Sequence, residues 1–407
     1  MKRVYMKQFY AIIIMLLFFP FSGFPETKEI ISEGTYNMGD GETPGVAESR
    51  ALLNAKRIAI ERAGTYIESY SKVKNMQFTE DEVKVLTSGL MEVTILHKKR
   101  TVVGDGIHFY VKIKAKVNPD KMEEMARKVK EKSVVDDYKK IQEAYDKSQR
   151  VIAELKKQMA KTKGKKENKT VEAKIRDDER LFQVNDWISK GYNYSINGEY
   201  DKALEAYNAA MVLEPNNAKV YLSRGNVYFN KGALEMAITD YNKAVAIDPN
   251  FDLAYLVRGI AHYEKGQPEM AILDCTKAIG INPNLAAAYL LRGTVYVDNE
   301  QYDKAINDFT RLIDKFYDEI CYRAEVCADV YYRRGYAYFH KTRVDAAIKD
   351  LSKSLNMDSN NAKAFAIRGL AYLVSGNTAM GIQDLEKSCG MGNKAACEAI
   401  GRALQNK

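Results

Sequence analysis

The chain has 407 residues, 29% of them charged, and a formal net charge of +8. That length exceeds what one compact core organises, so two or three folding units are expected. The charge surplus is too mild to call for a nucleic-acid partner. With only four histidines, none at ligand spacing from a cysteine pair, a zinc site would lack ligands.

In chain order, residues 1–24 have the form of an export signal. Lys2, Arg3 and Lys7 make a positive start, residues 11–19 are an unbroken apolar run, and Pro20, Ser22 and Gly23 supply the break and small residues of a cleavage region. The run is shorter than the ~20 residues a spanning helix needs. Either it is cut between Ser22 and Phe24, or the imperfect site with Phe21 and Phe24 leaves it as an inner-membrane anchor. No cysteine follows, which excludes a lipid anchor. The expected location is periplasmic or secreted.

Residues 28–118 read as a small α+β domain. A strand is expected over 29–38, an amphipathic helix from Pro44 to about Gly64 with Val46, Leu52, Leu53, Ile58 and Ile60, and a shorter helix over 80–90. A hairpin follows, with residues 91–103 and 107–117 flanking Gly104-Asp105-Gly106. Its second strand puts Ile107, Phe109, Val111, Ile113, Ala115 and Val117 on one face. His97 and His108 sit on this hairpin, where surface or packing roles weigh above a metal site. Ala47, Ala51, Ala55, Arg57, Ala59, Glu61, Ala63 and Gly64, with the hairpin after them, carry a resemblance to the N-terminal domain of the flagellar assembly T protein family. That resemblance implies an envelope accessory domain without catalysis, and no flagellum by itself.

Residues 119–160 form a helical spacer. Val134, Tyr138, Ile141, Tyr145, Ile152, Leu155 and Met159 follow three- and four-residue steps, with Ser148 in one core place. The spacer is either one strand of a coiled-coil homodimer or a lone helix leaning on a neighbour. Residues 161–180 then read as a flexible basic linker containing Lys161, Lys163, Lys165, Lys166 and Lys169. This is either a solvated tether or a contact for an anionic membrane or peptidoglycan surface.

From residue 184 the chain repeats itself. Gly191, Gly225, Gly259, Gly293, Gly335 and Gly369 are separated by 34, 34, 34, 42 and 34 residues. An aromatic stands four residues before each glycine (Trp187, Tyr221, Tyr255, Tyr289, Tyr331, Phe365). Another stands three after it in five copies (Tyr194, Tyr228, Tyr296, Tyr338, Tyr372), with His262 in that place in the third. Ala203, Ala237, Ala271, Ala305 and Ala347 lie twelve residues past the glycine, and Pro215, Pro249 and Pro283 close the first three copies. Each unit is a helix-turn-helix whose small residues mark the crossing and whose proline stops the second helix. One pair cannot bury its apolar face alone, so the units must stack.

With Trp187, Lys190, Gly191, Tyr194, Ala203, Tyr207, Ala210 and Pro215 in that pattern, residues 184–395 resemble the tetratricopeptide-repeat (TPR) family. The fold expected is mainly α: a right-handed TPR α-solenoid of about six repeats, from residues 184, 218, 252, 286, 328 and 362, with a capping helix over 396–407. Residues 320–327 are an insertion, and Gly381 replaces the sixth alanine. Cys321 with Cys327, and Cys389 with Cys397, are candidate bridges in an exported chain. The end of the chain is similar to Sel1-like relatives of the TPR family, which supports the Cys389–Cys397 pairing. Cys275 reads as a buried reduced thiol.

Arg224, Arg258, Arg292, Arg334 and Arg368 each precede a marker glycine, and Asp240, Asp274, Asp308, Asp350 and Asp384 follow sixteen residues after the arginines. The first unit has neither. A ladder of ion pairs between the two helices of each unit is expected.

No phosphate loop, nucleophile elbow or zinc motif occurs, so no enzyme and no cofactor are expected. The resemblance implies binding of a protein or peptide along the concave side, lined by the first helices. The residues so placed are Tyr192, Asn226, Phe229, Ile260, Tyr263, Leu290, Val297, Tyr332, Tyr336, Phe339, Leu370 and Leu373. They are apolar and aromatic, and half of the inner positions are expected to pack between units instead. His340 could face the same groove. The function expected is a scaffold for an envelope complex, with tethering through the basic linker as the alternative.

Overall fold

The computed structural model describes residues 28–73, 77–104, 106–118, 125–126, 129, 132–161, 165–321 and 324–405. The expected signal, residues 1–24, lies outside them. The chain divides into two compact units, Met1–Pro215 and Asn216–Lys407.

In the first unit, β1 (Lys28–Met38), β2 (Met91–Val103) and β3 (Gly106–Val117) form an antiparallel sheet in the order β1-β3-β2. Between them come α1 (Pro44–Val73) and α2 (Glu80–Leu90). Thr79 opens α2 with a reciprocal cap to Glu82. The α1 helix covers the sheet with Ala47, Ala51, Ala55, Ala59 and Ala63, every fourth residue, all fully buried. Small side chains let the helix come close. A Cβ on Gly34 would stand 2.2 Å from the Ala51 carbonyl oxygen. The strand face expected to be apolar is the buried one: Phe109, Val111, Ile113, Ala115 and Val117. The helix runs nine residues past its expected end at Gly64.

Helices α3 (Lys132–Lys161) and α4 (Lys165–Ile196) pack together, and α5 (Tyr200–Leu213) packs on α4. Two sequence expectations change here. The apolar seam of the spacer is filled from within the chain: Ile152 and Leu155 meet Val171 and Ile175, and Tyr145 meets Val46 and Phe182. Among the described residues these seam positions are covered by the chain's own side chains, as expected for a helix leaning on its neighbours. The flexible linker is also replaced, because residues 165–180 are the first half of α4. Its lysines hide a buried row of Val171, Ile175, Asp178 and Phe182 at helical spacing. The polar member has a partner. Arg50, fully buried on α1, donates to Asp178 at 2.7 Å and to Ser148 at 3.1 Å, so Ser148 holds a polar place in the seam.

The second unit is a run of helical hairpins: α6 (Ala218–Asn230) with α7 (Leu234–Ile247), α8 (Asp252–Glu264) with α9 (Pro268–Ile281), and α10 (Ala286–Asp298) with α11 (Tyr302–Lys315). After the short α12 (Tyr317–Cys321) come α13 (Ala324–His340) with α14 (Val344–Met357), α15 (Ala362–Val374) with α16 (Thr378–Gly390), and α17 (Lys394–Gln405). The marker glycines stand at the crossings: a Cβ on Gly225 would lie 2.5 Å from the Tyr241 ring, and one on Gly293 2.9 Å from Phe309. The turn seven residues on is left-handed. Gly198, Gly232, Gly266 and Gly376 take φ between 74° and 85°, while Glu300 and Thr342 hold the same place at 57° and 58°.

All five expected arginine–aspartate rungs form, with closest contacts between 2.6 and 2.8 Å. Each is bidentate and largely buried, with the aspartate side chains 1–8% exposed. From the third unit on, the remaining guanidinium nitrogen donates to the preceding hairpin: Arg258 to Asn242, Arg292 to Thr276, Arg334 to Thr310 and Arg368 to Ser352, at 2.8–3.1 Å. The flanking aromatics hold the guanidinium plane, as Tyr289 and Tyr296 do for Arg292. The arginines are thereby fully engaged within the fold, which gives them a structural role.

Candidate protein-binding face

Within the second unit, successive first helices approach one another more closely than successive second helices do. The stack therefore curves with α6, α8, α10, α13 and α15 on its inner side. Residues one and four past each marker glycine line that side, and all those named above are half-buried except Asn226, which is exposed. Leu256 and Ala366, three before the glycine, are buried between hairpins. Tyr192 belongs to α4 of the first unit and is half-buried there.

Two recesses interrupt this face. One, of about 200 Å³, is lined by Asn226, Phe229, Asn230, Tyr241, Val257 and Ile260. The Tyr241 hydroxyl donates to the Asn226 side-chain oxygen at 2.8 Å and so fixes the amide. The other, of about 220 Å³, lies between Tyr332 and Tyr336 of α13, Ala366 and Leu370 of α15, Leu385 of α16, and Ala396 and Ala399 of α17. Its walls are almost wholly apolar. An aromatic cluster adjoins it: His340 stacks on Tyr302 at 4.8 Å and meets Tyr336 at 4.4 Å, with Phe339 at 5.7 Å. Tyr302 was not singled out by the sequence, because it opens a second helix and reaches the cluster across the turn.

Tyr263 donates to the exposed Asp298 carboxylate, and this bond together with burial pushes the Tyr263 phenol up to about 12. Leu290 and Val297 contact the core around Phe309. Leu370 and Leu373 pack toward Leu385 and Ala396, and a Cβ on Gly381 would lie 2.7 Å from Leu373. The sixth unit thus replaces its alanine with glycine because Leu373 fills the space.

Family models described as TPR repeat match residues 191–232 and 225–266, and tetratricopeptide-repeat models match 253–285 and 290–362. These hairpins are tetratricopeptide repeats.

No curated protein matches the chain significantly. Among solved structures, it is similar to YrrB, described as a TPR protein with an unusual peptide-binding site, at 21% identity and a TM-score of 0.43, covering 50% of this chain and 98% of that one. MamA matches at 28% identity and 0.38, covering 44% and 94%. Pseudomonas aeruginosa PilF matches at 14% identity and 0.45, covering 56% and 99%.

The cysteines are arranged around the last TPR units. Cys321 is bonded to Cys327 and Cys389 to Cys397, while Cys275 is a buried thiol. The second bond ties α16 to α17, whose Ala396 and Ala399 wall the larger recess. His97 and His108 do not come together: His97 lies 6.2 Å from the Tyr110 ring, and His108 bonds Asn37 at 2.5 Å. His262 is buried and bonded to Gln267, a packing place. Among the described residues no group of three or more His, Cys, Asp or Glu is placed to hold a metal ion. No described helix is long and apolar enough to cross a membrane.

Proposed function

We propose that this protein is an exported, non-catalytic scaffold that holds a partner polypeptide against the inner face of its TPR units while an envelope complex is assembled. The observation that carries the reading is the apolar recess between Tyr336 and Leu370, flanked by Phe339 and His340. Half-buried aromatic side chains at a curved face are suited to anchoring an apolar or aromatic segment. TPR units serve protein–protein interaction. Export is supported by the basic and apolar residues of 1–24 and by the two disulfides, which persist in an oxidising compartment. The alanine-striped helix on its sheet supports the likeness to envelope accessory domains.

The experiment is affinity capture from envelope fractions with the wild-type chain and with Tyr336→Ser/Phe339→Ser, checking each fold by circular dichroism. The double variant should lose the captured partner and keep its helicity. Undiminished capture would refute the groove. Tethering through Lys161 and Lys169, both exposed, would instead collapse at high salt, whereas an apolar contact persists.

A further inference from the structure

The first unit contains a cleft that the protein-binding reading does not use. Opposite its alanine stripe, α1 presents Leu53, Lys56, Arg57 and Ile60, one helical face. Across from it, α4 presents Asp186, Ser189, Lys190 and Asn193, again spaced as one face. With Ser88, Gln142 and Tyr145 these enclose a cavity of about 110 Å³.

Three of the lining cations and carboxylates are accounted for. Arg57 is neutralised by Asp146 at 2.6 Å, and Lys190 by Asp186 at 2.7 Å. Tyr145 also donates to Asp186, at 3.5 Å, and the Lys190 ammonium rests 4.2 Å over the Trp187 ring. Lys56 differs: among the described residues it makes no hydrogen bond and no ion pair. Burial lowers its pKa, with the Asp186 carboxylate opposing that shift and Lys190 adding to it. Lys56 is half-buried, and its ammonium feels the Asp186 carboxylate without pairing with it directly, so an anion entering the cleft would meet a cation with no salt-bridge partner.

We propose that this cleft binds an oxyanion, a carboxylate or a phosphate, on the Lys56 ammonium. Of the three lining cations, Arg57 is paired with Asp146 and Lys190 with Asp186, a carboxylate shared with Tyr145, which leaves Lys56 as the lining cation with no ion pair among the described residues. The Asn193 amide lines the same space and can donate to an anion there, while the Ser88 and Ser189 hydroxyls are engaged by Tyr138 and Tyr145. The volume suits the anionic group itself and a few further atoms. Two sources share this chemistry: a free small anion and the C-terminal carboxylate of a peptide chain.

The test follows the thermal unfolding of the full chain at constant ionic strength, adding millimolar acetate, inorganic phosphate, or a tripeptide with a free or an amidated C-terminus. The melting temperature of the N-terminal unit should rise with the oxyanions and the free-ended peptide, and not with the amidated one. A response to acetate and phosphate equal to that of the peptide assigns a free anion; a response to the peptide alone assigns a chain terminus. Lys56→Gln should abolish the response. Asn193→Asp, which places a carboxylate in the cleft, should weaken it at least tenfold and serves if Lys56→Gln misfolds. A wild-type chain indifferent to every oxyanion, or a Lys56→Gln chain responding as fully as wild type, overturns the proposal.

Discussion

Arg258 grips Asp274 through two hydrogen bonds, at 2.6 and 2.9 Å, and uses its third nitrogen to hold Asn242 of the preceding hairpin at 2.8 Å. One side chain therefore closes its own hairpin and joins it to the one before. With Asp274 only 1% exposed, the pair is far from the surface regime in which ion pairs contribute little. Asp274→Ala should leave Arg258 uncompensated and cost about 3 kcal/mol, read as a fall in urea midpoint. The apolar double variant Arg258→Met/Asp274→Leu should cost markedly less. If both cost the same, the pair supplies stability by itself and not merely by being complete.

Thr342 holds φ at 58°, where Gly232, Gly266 and Gly376 stand in other units. A β-branched side chain is strained in that region, and the local bonds of the turn keep it there. Thr342→Gly should stabilise the second unit by about 0.5–1 kcal/mol, the strain relieved less the extra freedom of glycine when unfolded. The reverse change, Gly266→Thr, should destabilise it by a similar amount. Thermal unfolding of the two variants checks the sign.

The repeats were legible because their geometry imposes a local register: Gly225 meets Tyr241, and Arg224 meets Asp240, at fixed offsets inside one hairpin. The helical nature of residues 165–180 was obscured for the opposite reason. Asp178 belongs to a buried row only because Arg50, 128 residues earlier, supplies its counter-charge. Read locally, an aspartate among lysines looks like solvated surface. The Lys56 cleft was hidden in the same way, since its walls come from α1, α2, β2, α3 and α4 and no single segment carries its pattern. At the inner face, Tyr336 and Phe339 were placed from repeat phase, but Tyr302 was missed because it enters from the neighbouring hairpin.

Burial pushes the Cys275 thiol up to about 12. In the unfolded chain a thiol ionises near ~8.5, so the folded state resists a deprotonation that the unfolded state accepts. The contribution is intact below that pH. It is lost by up to about 1.4 kcal/mol per unit as pH rises from ~8.5 toward 12. Cys275→Ala should flatten this part of the stability profile. In the oxidised protein, a thiol reagent at pH 8 should label nothing until denaturant is added, and then one group. Labelling of the native chain would place Cys275 at the surface.

Tyr145 tests whether the α3 seam serves this chain or a second copy. Its ring lies 5.6 Å from Phe182 in a cluster with Val46, and its hydroxyl reaches Asp186. All three partners belong to the same molecule. Tyr145→Lys should therefore cost about 3 kcal/mol in the first unit, the magnitude of losing a buried aromatic, and should act without changing the molecular mass in solution. The wild-type melting temperature should not vary with protein concentration, because a seam closed within one chain carries no mass-action term. Analytical ultracentrifugation of both proteins decides the matter. A wild-type dimer that Tyr145→Lys converts to a folded monomer would show that the seam opens to pair between chains.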